Sequence, residues 1–229
     1  MTDLTINLAT DSNGIDINIG QVQAWLLTRD KKKLSELFYD RFYGRYIRPF
    51  DYPSELYIKK YKNGFSIMTN CCLLIETFVS WTEPTLRNTN KNSERCFGYF
   101  FLKEKRFNEL SKGGATILDY TTLSKKITHK GTACDFYHNV RCGLLHNGET
   151  KNGWKITRVG NFYDENSKRI NAVKFMKRLA AAIRDFKKRL DVSDFDKSVE
   201  WITYKNRLSD LIKKSYLFSV PSESSTSLK

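Results

Sequence analysis

The chain has 229 residues, 40% apolar and 28% charged, a balance that excludes global disorder and allows a packed core. Lys and Arg exceed Asp and Glu by 39 − 25, and the net charge of +14 favours a polyanionic partner such as nucleic acid or an anionic membrane surface. Aromatic residues make up 14% of the chain, which suits contacts to nucleic-acid bases but equally suits a large aromatic core.

The expected location follows from what the chain lacks. No stretch approaches the roughly 18 consecutive apolar residues of a transmembrane helix, so we expect no transmembrane helix and do not expect a membrane among the partners. The first residues do not combine a basic stretch with an apolar run, as a secretory signal would. The five cysteines form no C-x-x-C pair and their number is odd, which argues against disulfides and a zinc knuckle. We therefore expect a cytoplasmic protein.

The N-terminal part is predicted to be a helical extension covering residues 1–57. Its first 20 residues are rich in Asp, Asn and Gly, which is typical of a loose arm or a short strand. Apolar residues such as Leu34 and Phe38 then recur near every 3.6 residues and predict one helix from about Gln21 to Tyr46. A short helix is predicted from about Pro53 to Tyr61.

A central helix is predicted from about Phe65 to Trp81, because apolar residues nearly surround it. Glu76 lies inside this apolar run, where a carboxylate needs a partner or a solvated position. A shorter helix is predicted from Phe97 to Leu110 and another from Tyr120 to His129.

The character of the sequence changes after Gly148. The turn pair Asn152-Gly153 precedes a strand-like stretch, so we expect a β-hairpin inserted at about residues 148–165. A long helix from about Asn171 to Leu190 follows.

One more helix is predicted from Leu190 to about Phe218. The polar end of the chain predicts a disordered tail. We therefore assign residues 191–220 to a C-terminal helix and 221–229 to that tail. The fold class is mostly α.

The candidate chemistry lies in one segment, in which His146 follows Arg141 by five positions. On an ideal helix these two side chains would be about 140° apart, at about 100° per residue. His146 would instead share a stripe with Asn139, Cys142 and Gly143. On that stripe, Gly143 would allow another helix or a nucleic-acid backbone to approach closely.

Imidazole and guanidinium together supply the groups needed for RNA cleavage without a metal. Imidazole titrates near neutral pH, so His146 can act as a general acid or base. Guanidinium stays charged and binds phosphate with paired donors, so Arg141 can hold the scissile phosphate and offset its growing charge.

The whole run from Phe136 to Thr150 reads FYHNVRCGLLHNGET and follows a helix that carries Glu76. With Arg141 and His146 at this spacing, the region 58–190 resembles HEPN domains, which are all-α domains that commonly act as RNA endonucleases. The resemblance implies a helical bundle that pairs as a homodimer.

Several functional expectations follow from the resemblance. The Arg141 and His146 side chains of both subunits would line one cleft as the catalytic pair. Metal would not be needed, and products would carry a cyclic phosphate. Members of the family often act as toxins or in anti-phage defence, so an inhibitor or sensor protein is a plausible partner beside RNA. Within this site Glu76 would orient Arg141, with Asn139 and Cys142 as supporting residues.

Two alternative interpretations also agree with the sequence. HEPN domains often carry Asn, Asp or His directly after the Arg, whereas this chain has Cys142. That departure favours a second interpretation, a non-catalytic HEPN-like module that binds RNA or a regulatory partner. In that interpretation His146 would interact favourably with the dipole at the C-terminal end of a helix. Arg141 would form an ion pair at the surface. A third interpretation is a basic DNA-binding accessory protein of another fold.

The segment from Lys168 to Arg189 holds nine basic residues and one acid, an excess that favours phosphate contacts. The candidate RNA-binding residues are Lys174, Lys177, Arg178 and Arg184. The sequence contains no Walker loop, no G-x-G-x-x-G and no H-E-x-x-H motif. We therefore expect neither a nucleotide cofactor nor a catalytic zinc ion.

Overall fold

The protein is mostly helical with a small β-sheet component, as the sequence predicted. The computed structural model describes residues 4–51, 60, 62–86, 92–121 and 131–217. The predicted tail at 221–229 lies outside the described residues, and so do most of the predicted helix at about 53–61 and most of that at 120–129.

The helices and strands alternate along the chain. The α-helices are α1 (Ile19–Thr28), α2 (Lys31–Tyr46), α3 (Gly64–Thr82), α4 (Ser93–Lys103), α5 (Ile117–Thr121), α6 (Thr132–Phe136), α7 (Cys142–Asn147), α8 (Ala172–Val192) and α9 (Val199–Leu217). A π-helical segment (Tyr137–Arg141) joins α6 to α7, and 3-10 helices cover Arg48–Phe50 and Lys105–Leu110. The strands are β1 (Asn7–Thr10), β2 (Asp16–Asn18), β3 (Lys155–Thr157), β4 (Tyr163–Asp164) and β5 (Arg169–Asn171).

The chain divides into two compact units, the first comprising residues 1–41 and 189–229 and the second residues 42–188. In the first unit β1 and β2 pair antiparallel. In α9, the indole of Trp201 donates to the carbonyl of Leu190 at 2.8 Å, and the hydroxyl of Tyr204 donates to the carbonyl of Leu34 at 2.9 Å. Both side chains are fully buried, so these bonds leave no buried donor unpaired on either ring.

The prediction of one helix from Gln21 to Tyr46 is wrong, because the chain breaks between α1 and α2. Arg29 adopts a left-handed conformation with φ 58° and ends α1. Asp30 then begins α2, since its carboxylate accepts from the backbone N–H of Lys33 at 3.1 Å. The last predicted helix, from Leu190 to Phe218, begins later than expected. Helix α8 runs to Val192, and α9 begins at Val199 after a turn in which Asp194 accepts two backbone N–H groups.

The core of the second unit is built on α3 and a cluster of phenylalanine side chains. Helix α3 is buried over most of its surface, which confirms the predicted central helix. Phe136 stacks on Phe175 with ring centroids 5.6 Å apart, and Phe107 meets Phe175 edge-on at 4.9 Å. Many of the aromatic residues that composition alone could assign to nucleic-acid contact therefore belong to the core.

Helix α3 is also long and apolar enough to span a membrane, but 61% of its apolar window is buried within the fold. The same test is passed by the core helix of many globular proteins. It is the one helix among the described residues that meets these criteria.

The predicted helix from Phe97 to Leu110 is two elements in the structure. Helix α4 ends at Lys103, and a 3-10 segment follows, in which Phe107 departs from helical geometry with φ −119° and ψ 20°. The departure places Phe107 fully inside the aromatic cluster.

The insertion expected as a hairpin is a three-stranded sheet in the order β3-β5-β4. Strand β3 runs parallel to β5, and β4 pairs antiparallel with it. The predicted turn is present, with positive φ at Asn152 and Gly153. The strand partner of β3 is β5, directly before α8, so the insertion extends beyond residue 165.

Candidate functional site

The candidate residues lie on a helix, here called the 132–147 helix, that consists of α6, the π-helical segment and α7. Hydrogen bonds in the π-helical segment run from i to i+5, so this turn holds an additional residue. The additional residue rotates everything after it relative to an ideal α-helix. Asn139 is consequently buried while His146 is exposed, and the predicted stripe joining them is wrong.

Asn139 supports the fold of this region rather than a shared stripe with His146. Its amide donates to Asp135 Oδ1 at 2.6 Å, and its side-chain oxygen accepts from Asn152 at 2.8 Å. Its backbone carbonyl accepts from Lys151 at 2.9 Å. These bonds tie the 132–147 helix to the turn that precedes β3.

Arg141 and Glu76 form a largely buried ion pair. Arg141 Nε lies 2.6 Å from Glu76 Oε1, and the two side chains are 15% and 7% exposed. The second carboxylate oxygen, Oε2, accepts from the hydroxyl of Ser93 at 3.1 Å. The predicted pairing of Glu76 with Arg141 is therefore present, and the Arg141 side chain is held inward rather than in a surface ion pair.

Tyr137 and Cys142 complete the surroundings of the guanidinium. Burial lowers the pKa of Arg141, but the hydrogen bond and charge of Glu76 outweigh it, so the pKa rises and the side chain stays charged. The Tyr137 ring centroid lies 5.5 Å from Arg141 Cζ. Burial and the neighbouring Cys142 raise the pKa of Tyr137 to about 12, which keeps its hydroxyl protonated. Sequence reasoning missed Tyr137, although it lies one helical turn before Arg141.

His146 occupies the last turn of α7 and is exposed. Gly148 ends the helix with φ 70° and donates its backbone N–H to the carbonyl of Leu144. Among the described residues, no hydrogen-bond partner engages the imidazole, so the ring is accessible for proton transfer.

An open groove lies between α3 and the C-terminal end of α7. Its volume is about 430 Å³. Leu144 and Gly148, which flank His146 in sequence, line one side, and Phe65, Asn70 and Leu73 of α3 line the other. The walls of the groove are mostly apolar, and His146 is not among the residues that line it.

Gly143 allows another part of the same chain, the backbone at Glu149, to pack closely against α7. A Cβ atom at Gly143 would lie 2.4 Å from the backbone oxygen of Glu149. The expected approach of another helix or a nucleic-acid backbone is therefore replaced by the segment that follows α7.

The four basic candidates on α8 have different surroundings. Lys174, Lys177 and Arg184 are exposed. Arg178 pairs with Glu109 at 3.0 Å, and its Cζ atom lies 3.5 Å from the Phe162 ring centroid. Three of the candidates can thus meet phosphate directly, whereas Arg178 is engaged within the fold.

Asp135 is a further residue that sequence reasoning missed. It accepts from Asn139, from the Trp154 indole at 2.9 Å and from the Lys168 ammonium at 3.1 Å. The spacing of Asp135 and Asn139, one helical turn apart, could have indicated the first of these contacts.

Comparison with known protein families, curated proteins and solved structures found no match to this chain.

Proposed function

We propose that the protein is a metal-independent endoribonuclease of HEPN type. The observation that carries the proposal is the Glu76–Arg141 pair at 2.6 Å, which holds the guanidinium of a helix whose last turn carries the exposed His146. A fixed cation and an accessible imidazole are the two groups that cleavage through the ribose 2′-hydroxyl needs.

In the proposed reaction, His146 takes the proton from the 2′-hydroxyl or gives one to the leaving oxygen. The 2′-oxygen attacks phosphorus, the bond from phosphorus to the 5′-oxygen breaks, and the 5′-oxygen gains a proton. The products are a 2′,3′-cyclic phosphate and a 5′-hydroxyl. Arg141 stabilises the charge on the phosphate oxygens, and Glu76 acts as a positioning residue.

Two subunits are expected to share one cleft, as in the family that the sequence resembles. Arg141 retains only 15% exposure within one chain. A cleft formed by two copies would bring the guanidinium of one subunit and the imidazole of another to the same phosphate. Light scattering at micromolar concentration should then give twice the chain mass of 26.8 kDa.

The test is incubation of the purified full-length chain with single-stranded and structured RNA in EDTA. We expect cleavage with cyclic phosphate ends. His146→Ala should reduce the rate by about 10²–10⁴-fold, the range for loss of a general acid or base. Arg141→Ala should reduce it by about 10²–10³-fold, as for loss of one electrostatic stabiliser. Asn147→Ala, an exposed neighbour of His146, is the matched control and should leave the rate unchanged.

A second candidate is a non-catalytic RNA-binding or regulatory module, favoured by the burial of Arg141. RNA binding without cleavage, and unaffected by His146→Ala, would support this candidate and contradict the nuclease. Slow growth of cells that express the wild type but not His146→Ala would support a toxin, with an inhibitor or sensor protein as its partner.

A further inference from the structure

Three potential metal ligands converge on the side of the 132–147 helix that faces α4. Glu94 lies in the first turn of α4, Cys134 in α6, and His138 one turn later in the π-helical segment. One ligand atom from each side chain lies within 4.8 Å of the other two. Glu94 Oε2 and His138 Nε2 are 3.5 Å apart.

The types of the three side chains favour a cation at this cluster. Glu94 supplies a carboxylate that is 18% exposed, His138 an exposed imidazole and Cys134 a sulfur atom that is not in a disulfide. A divalent cation among them would be attracted by the carboxylate charge and could bind the sulfur and nitrogen atoms as well.

We propose that Glu94, Cys134 and His138 bind Zn²⁺, with a fourth coordination position open to water. Thiolate, imidazole and carboxylate together are a donor set that suits this borderline-soft cation better than magnesium or calcium. Binding joins α4 to the helix that carries Arg141, three residues after His138. The inference does not depend on the proposed nuclease activity.

The geometry needs only small movements to form the site. Tetrahedral zinc with bonds of about 2.0–2.3 Å places its ligand atoms about 3.5 Å apart. The ligand atoms of the three side chains now lie within 4.8 Å of one another, so each pair would need to approach by about 1.3 Å at most. His138 is 52% exposed at its side chain and can rotate, while Glu94, at 18%, is held more firmly. The site escapes motif searches because its third ligand comes from 40 residues earlier in the chain.

The test is titration of the reduced full-length protein with Co²⁺ and then Zn²⁺, followed by absorption spectroscopy. We expect one Co²⁺ per chain, a thiolate-to-cobalt charge-transfer band in the near ultraviolet, and displacement of Co²⁺ by Zn²⁺. Cys134→Ser should abolish the charge-transfer band. His138→Gln should weaken Zn²⁺ binding by more than about 100-fold, because loss of a ligand costs more than the 10–100-fold loss typical of outer-shell changes.

His146→Gln is the matched control, because it removes another exposed histidine from the same helix. It should leave the spectrum and the affinity unchanged. A cobalt complex without a thiolate band, equal affinity in His138→Gln and the wild type, or no binding at all would each overturn the proposal. RNA cleavage in EDTA is measured separately, so failure of the zinc site and failure of the nuclease are distinguishable.

Discussion

The Nε atom of Arg141 lies 2.6 Å from Oε1 of Glu76, across 65 residues of sequence. Both carboxylate oxygens accept a hydrogen bond, because Ser93 donates to Oε2 at 3.1 Å. The pair therefore fixes the 132–147 helix to α3, and Ser93 brings in the first turn of α4. Stability and the orientation of Arg141 should depend on the same carboxylate.

Glu76→Gln should destabilise the protein by about 3 kcal/mol, because it leaves a largely buried guanidinium without its counter-charge. We take the lower end of the range for broken buried pairs, since Arg141 retains some exposure. Urea unfolding at pH 7 measures the change. The double variant Glu76→Met, Arg141→Met should recover most of the loss, and a double variant as unstable as Glu76→Gln would contradict this account.

Ser93→Ala tests the smaller contribution of the hydroxyl to the same carboxylate. We expect a loss of about 1–2 kcal/mol, because the hydrogen bond is made to a charged group and the site is buried. The same urea unfolding experiment measures it. A loss as large as that of Glu76→Gln would show that Ser93, rather than Arg141, is the main partner of the carboxylate.

The sequence was sufficient to predict that Glu76 needs a partner, because an isolated carboxylate in an apolar helix is costly. It was not sufficient to predict the faces of the 132–147 helix. A π-helical turn has no simple residue signature, and one additional residue at Tyr137–Arg141 moved Asn139 away from the face of His146. Angular arguments that assume a regular helix fail beyond such a turn.

The break at Arg29 was missed for a related reason. A left-handed residue at the end of a helix is usually glycine, and here it is arginine. Asp30 carried the usable signal, since aspartate is a preferred residue at the start of a helix. The small sheet was predicted as a hairpin because the turn pair Asn152-Gly153 was the clear signal in the sequence. Its central strand, β5, lies well beyond that turn.

Gly143→Ala should destabilise the protein by about 1–3 kcal/mol, because the new methyl group would lie 2.4 Å from the backbone oxygen of Glu149. Thermal or urea unfolding measures the effect. Gly20→Ala is the matched control, since that helical glycine has its nearest atom at 3.4 Å. Equal effects at the two positions would mean that the approach of Glu149 is not tight.

Replacing Lys174, Lys177 and Arg184 together by Gln should weaken RNA binding similarly for all sequences. The slope of the logarithm of the binding constant against the logarithm of salt concentration should also become shallower by about 2. Each phosphate contact to a single strand contributes about 0.7 to that slope, and three contacts are removed. Filter binding or anisotropy at several salt concentrations measures both. Lys112→Gln is the control, because that exposed ammonium already pairs with Glu165 at 2.9 Å. An unchanged salt dependence in the triple variant would remove α8 from the RNA-binding surface.

The thiol of Cys96 should make the protein less stable in alkali. Burial, reinforced by the charge of Glu76, raises its pKa from the ordinary 9.0 to about 12. Below pH 9 both the folded and the unfolded chain keep this proton, so its stabilising contribution is complete. Between pH 9 and 12 the unfolded chain releases the proton and the folded chain does not, so stability falls with rising pH by about 1.4 kcal/mol per unit for this thiol.

Cys96→Ala isolates that contribution from the other groups that titrate in alkali. The free energy of unfolding of the wild type minus that of Cys96→Ala should be constant from pH 7 to 8.5 and should then decrease towards pH 10.5. Urea unfolding under reducing conditions at each pH gives the difference directly. A difference that stays constant across the whole range would mean that the folded chain releases the Cys96 proton as easily as the unfolded chain, and that burial beside Glu76 does not hold it.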